Sequence, residues 1–201
     1  MIRALALTTL AVLASATVAF AARGEPKDEL NAADMARARS IILKKADLSP
    51  GFNPARTGPG DGYCAALDES ALTRSGKAES PAFINGATFV SSRADIYKTV
   101  RDAETSWRQG VSPAGARCFR EALAGADGLP SFRRLSFPRL APKTFAFRLV
   151  GGGATIDIVG LQEGRAQAVT LFVSGAGPLP RAEEVELSRL VAARLKKAMR
   201  E

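Results

Sequence analysis

The stretch KTFAFRLVGGGATIDIVGLQEGRAQAVTLFV, residues 143–173, decides the fold. Apolar and polar residues alternate there in three segments, the pattern of a strand with one buried face. Residues 151–153 and 162–165 join the segments, and such short links require antiparallel neighbours because a parallel pair needs a long crossover. Together with residues 132–137, the stretch predicts a four-stranded antiparallel meander. The alternating apolar residues are Phe145, Phe147 and Leu149, then Ile156 and Ile158, then Val169, Leu171 and Val173.

A helix is predicted after the meander and another near the start of the chain. Residues 181–200 carry acidic residues first and basic residues last, an order that complements the helix dipole, and their apolar stripe can cover the sheet. Residues 32–45 follow Asn31, which can cap a helix, and their apolar residues recur at spacings of three and four.

The middle of the chain predicts further helices and strand segments. Residues 99–109 form one helix, and a second begins at Pro113, where the missing N–H of proline costs nothing, after a Ser112 cap. Residues 83–92 are β-branched and aromatic around an Asn-Gly turn, which indicates strands, and residues 68–73 predict one helical turn. The predicted fold is therefore α+β, an antiparallel meander sheet of about four to five strands covered by three to four helices.

Residues 1–21 have the features of a cleavable signal peptide. Arg3 supplies a short positive region, residues 4–20 carry no charge, and the segment ends in a small-x-small motif. We predict cleavage after Ala21, a loose lead-in over residues 22–30 and a single α+β domain over residues 31–201. An uncleaved anchor is the alternative, since the uncharged segment approaches the length that spans a bilayer, but it is rich in Ala and Thr. The mature protein is thus expected to be secreted or periplasmic, with no transmembrane segment after cleavage.

The chain has two cysteines, Cys64 and Cys118. In an oxidising compartment an isolated pair indicates one disulfide, which would close a loop of about 55 residues and contribute roughly 4 kcal/mol on the chain-entropy model. Redox pairs have C-x-x-C spacing and a zinc site needs about four nitrogen or sulfur ligands. Since the chain has no His, the structural bridge is favoured, and it ties the Gly-rich loop after Asn53 to the helix that begins at Pro113.

The absence of His removes the commonest general base and metal ligand, and with them the Ser-His-Asp and papain-like hydrolases. Neither G-x-S-x-G nor S-x-x-K occurs. A carboxylate pair of the glycosidase type remains open, and Asp157 and Glu163 are its most plausible members. Asp157 falls on the polar face of its strand and Glu163 in a hairpin turn, so both are interpreted as solvated. We predict no catalytic residue, no cofactor and no metal ligand.

The net charge of +8 favours anionic partners, and one set of cations is clustered in the sequence. A patch for an acidic envelope polymer or a lipid headgroup is one interpretation, and a solvated basic surface with no partner is the other. The nearby aromatic residues fall on apolar faces, so no stacking platform for nucleic acid is expected. The candidate anion-binding residues are Arg117, Arg120, Arg133, Arg134, Arg139 and Lys143.

The order of elements resembles a known group of proteins. The turn Ala46-Asp47-Leu48-Ser49-Pro50-Gly51-Phe52 is followed by a cysteine loop, a strand with Val90-Ser91-Ser92, a helix with Ala103 and Trp107, the Cys118 helix, a meander and a closing helix. This is similar to the extracytoplasmic sensor domains of actinobacterial Ser/Thr kinases and to related small secreted proteins and lipoproteins. The resemblance spans most of residues 32–200 and implies a ligand-binding domain with a cleft beside the sheet. The matching motifs are structural, so no functional residue carries over.

Three functions follow, in order of preference. The first is an exported, non-enzymatic binding or sensor-like domain, with an unidentified small ligand in a concave surface between sheet and helices. The second is a basic envelope-associated protein that binds an anionic cell-surface polymer or lipid headgroups. The third is a carboxylate-dependent hydrolase.

Overall fold

The computed structural model describes residues 24–55, 64–122 and 131–200. The predicted signal peptide lies outside the described residues. The elements in chain order are β1 (Lys27–Asp28), α1 (Ala32–Ile41), a 3-10 helix (Lys45–Asp47), β2 (Asn53–Ala55), a second 3-10 helix (Ala65–Leu67), β3 (Thr73–Glu79), β4 (Ala82–Asn85), β5 (Thr88–Tyr97), α2 (Val100–Gly110), α3 (Pro113–Ala122), β6 (Ser131–Arg134), β7 (Lys143–Gly151), β8 (Ala154–Glu163), β9 (Ala166–Ser174) and α4 (Arg181–Ala198).

The predicted meander is confirmed, but the sheet is larger than expected. Strands β6 to β9 are consecutive antiparallel neighbours, and Gly152 and Gly153 form the β7–β8 turn with φ of +58° and +74°, which only glycine adopts without strain. The prediction of four to five strands is wrong. β5 pairs antiparallel with β9 from Thr88↔Ser174 to Ile96↔Ala166, which extends the order to β1-β3-β5-β9-β8-β7-β6. β4 pairs with β5 and β2 with β4, so the described residues form a nine-stranded sheet.

Two faces of this sheet are covered by different helices. The main core lies on the face under α1 and α4, where Val90, Val159 and Leu195 are buried. The opposite face carries Phe145, Phe147 and other apolar residues of the meander, and α2 and α3 cover part of it. Within the described part of the chain, no helix is long and apolar enough to cross a membrane.

The predicted helices over residues 99–109, from Pro113 and over residues 181–200 are present, and Thr99 and Ser112 accept from backbone N–H groups in the first turns. Two local predictions are wrong. The first helix ends at Ile41 rather than residue 45, because the N–H of Leu43 donates to Ser92 Oγ at 2.7 Å and the extended chain buries Leu43 in the core. Residues 68–73 do not form a helical turn, since a 3-10 helix precedes them and β3 begins at residue 73.

The lead-in over residues 22–30 is not loose where the structure describes it. Residues 27 and 28 form β1, which pairs parallel with β3. Arg74 of β3 is 1% exposed and binds Glu25 and Asp28 of this segment together with Asp95 of β5. A fully buried guanidinium requires such partners, and they fix the segment to the sheet.

The predicted disulfide joins Cys64 and Cys118, whose Cα atoms lie 5.8 Å apart. It connects the start of the second 3-10 helix to α3, as the sequence indicated. The Gly-rich loop was expected over residues 53–63, but residues 53–55 form β2, which pairs with β4. Residues 56–63 lie outside the described residues.

Candidate ligand groove

A groove of about 370 Å³ opens beside β7, between α2 and the segment that connects β6 to β7. We call residues 135–142 of this connection the groove wall. Aromatic side chains form one part of the lining and basic side chains another. The lining residues are Trp107, Val111, Arg134, Phe137, Arg139, Pro142, Lys143, Thr144, Phe145 and Phe147.

Aromatic side chains form the floor of the groove, and two of them come from alternate positions of β7. Phe145 and Phe147 are two residues apart on β7 and therefore share a face, with ring centroids 4.9 Å apart. Trp107 of α2 packs on Phe145 at 5.1 Å. Gly160 lies opposite Phe145 in the sheet register, and a Cβ there would overlap the Phe145 ring. The missing side chain lets the ring lie flat against β8, which leaves the space above it to the groove.

Three cations stand at the rim of this floor. Lys143 lies 3.3 Å from Glu104 Oε1 of α2, and Arg139 donates to the carbonyl oxygen of Pro142 at 2.9 Å. Arg134 is exposed and forms no ion pair with any residue that the structure describes. Neither Arg134 nor Arg139 has a carboxylate partner among the described residues, and both line an apolar, aromatic surface. This arrangement is suited to an anion attached to an apolar body.

The structure brings together half of the candidate anion-binding residues. Arg134, Arg139 and Lys143 line the groove, whereas the other three do not. Arg133 is exposed and opposite Arg148 in register, so it lies on the face of α4. The two remaining candidates, Arg117 (exposed) and Arg120 (half-buried), are on α3.

The aromatic members were not singled out as ligand residues. The alternation in residues 143–149 assigns Phe145 and Phe147 to a buried face. The helical periodicity of residues 99–109 assigns Trp107 to the apolar face of its helix. No sequence signal shows that α2 covers the face of β7 only in part. The prediction of a concave surface between sheet and helices is the nearest sequence-based indication of this site.

The interpretation of Asp157 as solvated is wrong. It is 1% exposed, and both Arg148 Nε (2.7 Å) and Arg148 Nη2 donate to it. Glu184 of α4 is 0% exposed and lies beside this pair, 3.7 Å from Arg148 Nη2. Burial and the neighbouring Asp157 carboxylate raise the pKa of Glu184 to about 7, although Arg181 opposes the increase. Glu163 is half-buried at the end of β8, next to the hairpin turn.

This carboxyl pair is of the kind a glycosidase needs, but it lies in the wrong place. Neither Asp157 nor Glu184 lines the groove, and both are buried between α4 and the sheet. Glycosidase carboxylates flank a bond of a substrate that reaches them, and these two side chains have no surface for a substrate. Among the residues that the structure describes, no three His, Cys, Asp or Glu side chains are grouped so that they could hold a metal ion.

No protein-family model matches this sequence, and no curated protein matches it either. A likeness is found in a solved structure, the extracellular domain of PknH from Mycobacterium tuberculosis, with a TM-score of 0.51 and 10% sequence identity. The match covers 83% of this chain and 97% of that domain. PknH is a mycobacterial Ser/Thr kinase. The fold of this chain is therefore similar to that of the extracellular domain of a mycobacterial Ser/Thr kinase, as its order of elements indicated.

Proposed function

We propose that this chain is an exported, non-enzymatic ligand-binding domain whose groove takes a small anion with a flat apolar body. The observation that carries the proposal is the pair of guanidinium groups, Arg134 and Arg139, at the edge of a floor made by Trp107, Phe145 and Phe147. An aromatic floor favours a flat apolar group, and a guanidinium favours a carboxylate, sulfonate or phosphate. Volumes of ligand pockets begin at roughly 300 Å³, so a groove of about 370 Å³ suits a small molecule.

The extracytoplasmic location has its own support. The disulfide between Cys64 and Cys118 is of the kind that forms in oxidising compartments, and the fold resembles an extracellular domain. Residues 1–21 have a signal-peptide pattern. If the proposal is correct, mass spectrometry of protein recovered from the culture medium or periplasm gives an N-terminus at Ala22. Recovery of the chain from the cytosol with Met1 in place contradicts it.

Trp107 makes the binding test direct, because it is the one tryptophan in the chain and it lines the groove. Titration with p-toluenesulfonate, monitored by tryptophan fluorescence, is expected to saturate. The neutral analogue methyl p-tolyl sulfone has nearly the same shape, and it is expected to bind about tenfold more weakly, which corresponds to roughly 1.4 kcal/mol. Equal binding of the two ligands refutes the role of the cations, and no binding of either refutes the groove as a ligand site.

A pair of matched variants locates the anion. Arg134→Ala is expected to weaken binding of p-toluenesulfonate about fivefold or more, whereas Arg189→Ala, which removes an exposed arginine of α4, leaves it unchanged. If both variants weaken binding equally, the effect comes from net charge rather than from the groove.

A basic surface that binds an anionic envelope polymer is the second candidate, and the exposed Arg117 and Arg133 outside the groove favour it. Charge-driven adhesion weakens steeply as ionic strength rises, because exposed charges are screened. Binding to anionic polymer beads that is lost in 0.5 M salt and in the triple variant R133A/R134A/R139A is the result expected of this alternative. Retention by the triple variant contradicts it.

A further inference from the structure

The groove wall packs apolar side chains against the main core, but few hydrogen bonds attach its backbone to the rest of the molecule. Its first residue, Leu135, donates its N–H to the carbonyl oxygen of Ala146, and near its end Leu140 and Ala141 donate to Thr144 Oγ1 at 3.2 Å. Between these two points, residues 136–139 form one backbone hydrogen bond with described residues, in which the carbonyl oxygen of Ser136 accepts from Arg181 Nη2. The same guanidinium lies 4.1 Å from the centroid of the Phe137 ring. Arg181 is thus the main polar anchor of the wall.

Arg181 is in turn held by a buried carboxylate. Its Nη1 donates to Glu184 Oε2 at 3.0 Å, across one turn of α4. The other oxygen of Glu184, Oε1, is buried and forms no hydrogen bond with a described residue. Arg148 Nη2 lies 3.7 Å from that oxygen and already donates to Asp157. Glu184 is therefore the one carboxylate of the described residues that pairs with Arg181.

We propose that Arg181 is a positioning residue that couples the buried Asp157–Glu184 pair to the groove wall, so that protonation of the pair weakens ligand binding. This inference rests on the proposed function of the groove. An ionised Glu184 holds Arg181 across Phe137 and Ser136, and the wall is then preorganised for the ligand. When Glu184 takes up a proton, its hydrogen bond from Arg181 loses the carboxylate charge and weakens. Part of the binding energy must then be used to order the wall.

The other charged groups around Glu184 form ion pairs of their own. β7 contributes Arg148 and β8 contributes Asp157, which bind each other. The residues of β9 on the face of α4, from Ala166 to Ser174, are uncharged. On the other side of α4, Asp34 of α1 pairs with Arg165, and Asp47 of the first 3-10 helix pairs with Arg194. Glu184, whose raised pKa lies near neutrality, is therefore the group that responds.

The test uses p-toluenesulfonate, which remains an anion throughout the pH range, with Trp107 fluorescence as the signal. For the unmodified protein, the dissociation constant is expected to rise at least about threefold from pH 8.5 to pH 5.5. Glu184→Gln, a neutral isostere, is expected to bind weakly at both pH values with a flat profile. Arg181→Met is expected to give the same flat profile, because it removes the guanidinium group that links Glu184 to the groove wall. Arg189→Ala keeps the pH dependence of the unmodified protein.

A measurement without ligand separates failure of the coupling from failure of the groove. In NMR titrations of the free protein, the amides of Ser136 and Phe137, followed in ¹H–¹⁵N spectra, are expected to shift with the same midpoint as the Glu184 carboxyl carbon, followed in ¹³C spectra. The coupling is overturned if these amides do not follow Glu184, or if a ligand binds equally well at both pH values. Absence of binding at both pH values overturns the proposed function and the regulation together. The dispersion of amide signals in the ¹H–¹⁵N spectra of the variants shows whether a flat profile comes from loss of coupling or from loss of fold.

Discussion

Arg74 offers the sharpest test of how the N-terminal segment is held. Its side chain is 1% exposed, and its three nitrogen groups donate to Asp28 at 2.9 Å, Asp95 at 2.8 Å and Glu25 at 2.7 Å. Replacement by Met keeps the length and the apolar part of the side chain but leaves three carboxylates without their common partner. Removal of one member of a buried ion pair costs about 3–5 kcal/mol, because the remaining charge stays desolvated.

The structure places the expected loss at the lower end of that range. Asp95 keeps an ion pair with Arg93 at 2.7 Å, and Asp28 keeps its pair with Lys77 and is one-third exposed. We therefore expect Arg74→Met to lower the free energy of unfolding by about 3 kcal/mol. The matched control is Lys77→Ala, which removes a partly exposed lysine from the same cluster and is expected to cost less than about 1 kcal/mol.

Urea unfolding at pH 7, monitored by far-UV circular dichroism, measures both variants. Hydrogen exchange of the amides of Lys27 and Glu29, which donate to the carbonyl oxygens of Leu72 and Arg74, reports whether β1 detaches first. Burial raises the pKa of Asp28, but hydrogen bonds from Arg74 and Lys77 outweigh burial and lower it. The corresponding stability is therefore present above the ordinary pKa and is lost as the pH falls, so the deficit of Arg74→Met should shrink at acid pH. A cost below 1 kcal/mol, or a cost equal to that of Lys77→Ala, refutes the reasoning.

Three further predictions concern the core and the groove. The pKa of Glu184 rises from 4.5 to about 7 in the folded chain, so the free energy of unfolding should fall by about 3 kcal/mol between pH 4.5 and pH 7 and then level off. Glu184→Gln should lack this fall when both proteins are unfolded in urea at each pH. An identical fall in the variant contradicts the assignment to Glu184. Reduction of the disulfide, which spans 54 residues, should cost roughly 4 kcal/mol, measured by urea unfolding with and without reductant, and no change in midpoint would be inconsistent with it. Gly160→Ala should destabilise the fold by about 1–3 kcal/mol through overpacking against Phe145 and should weaken p-toluenesulfonate binding, whereas Gly110→Ala, where added atoms meet open space, should leave binding unaltered.

The strands that the sequence predicts are those whose apolar residues alternate. The meander has this pattern and glycines at its turns, so β7, β8 and β9 are predictable from residues 143–173. β3 is not, because its buried residues Arg74 and Ser75 are polar and its next residue is a glycine. A Cβ at Gly76 would overlap the backbone of Asp34, so this glycine allows α1 to approach the strand closely. Such a strand is buried through ion pairs and close backbone packing, which hydrophobic periodicity does not detect.

The charge of the candidate site is predictable, but its shape is not. Arg134, Arg139 and Lys143 are close in sequence, and this clustering predicts an anion-binding patch. The alternation of Asp157 with Ile156 and Ile158 predicts a solvated side chain, a rule that holds for a strand with one exposed face. β8 is central and buried on both faces, so the rule fails there. The sequence of a single strand does not show which part of its face a helix will cover, because that depends on how distant elements pack together.

Ion pairs also determine how the helices sit on the large sheet. Asp34 of α1 pairs with Arg165 of the β8–β9 turn at 2.7 Å, and Arg194 of α4 pairs with Asp47 at 2.6 Å. Apolar contacts alone allow a helix to slide, whereas a buried pair has one acceptable register, because any shift leaves a desolvated charge. At the groove end, Arg181 and Glu184 both belong to α4, so their pair holds the groove wall, through Ser136 and Phe137, rather than the helix itself. The partners Asp34 and Asp47 have lowered pKa values, whereas the pKa of Glu184 is raised to about 7. The ion pair beside the candidate ligand site is therefore the one of these three that loses its carboxylate charge near neutral pH.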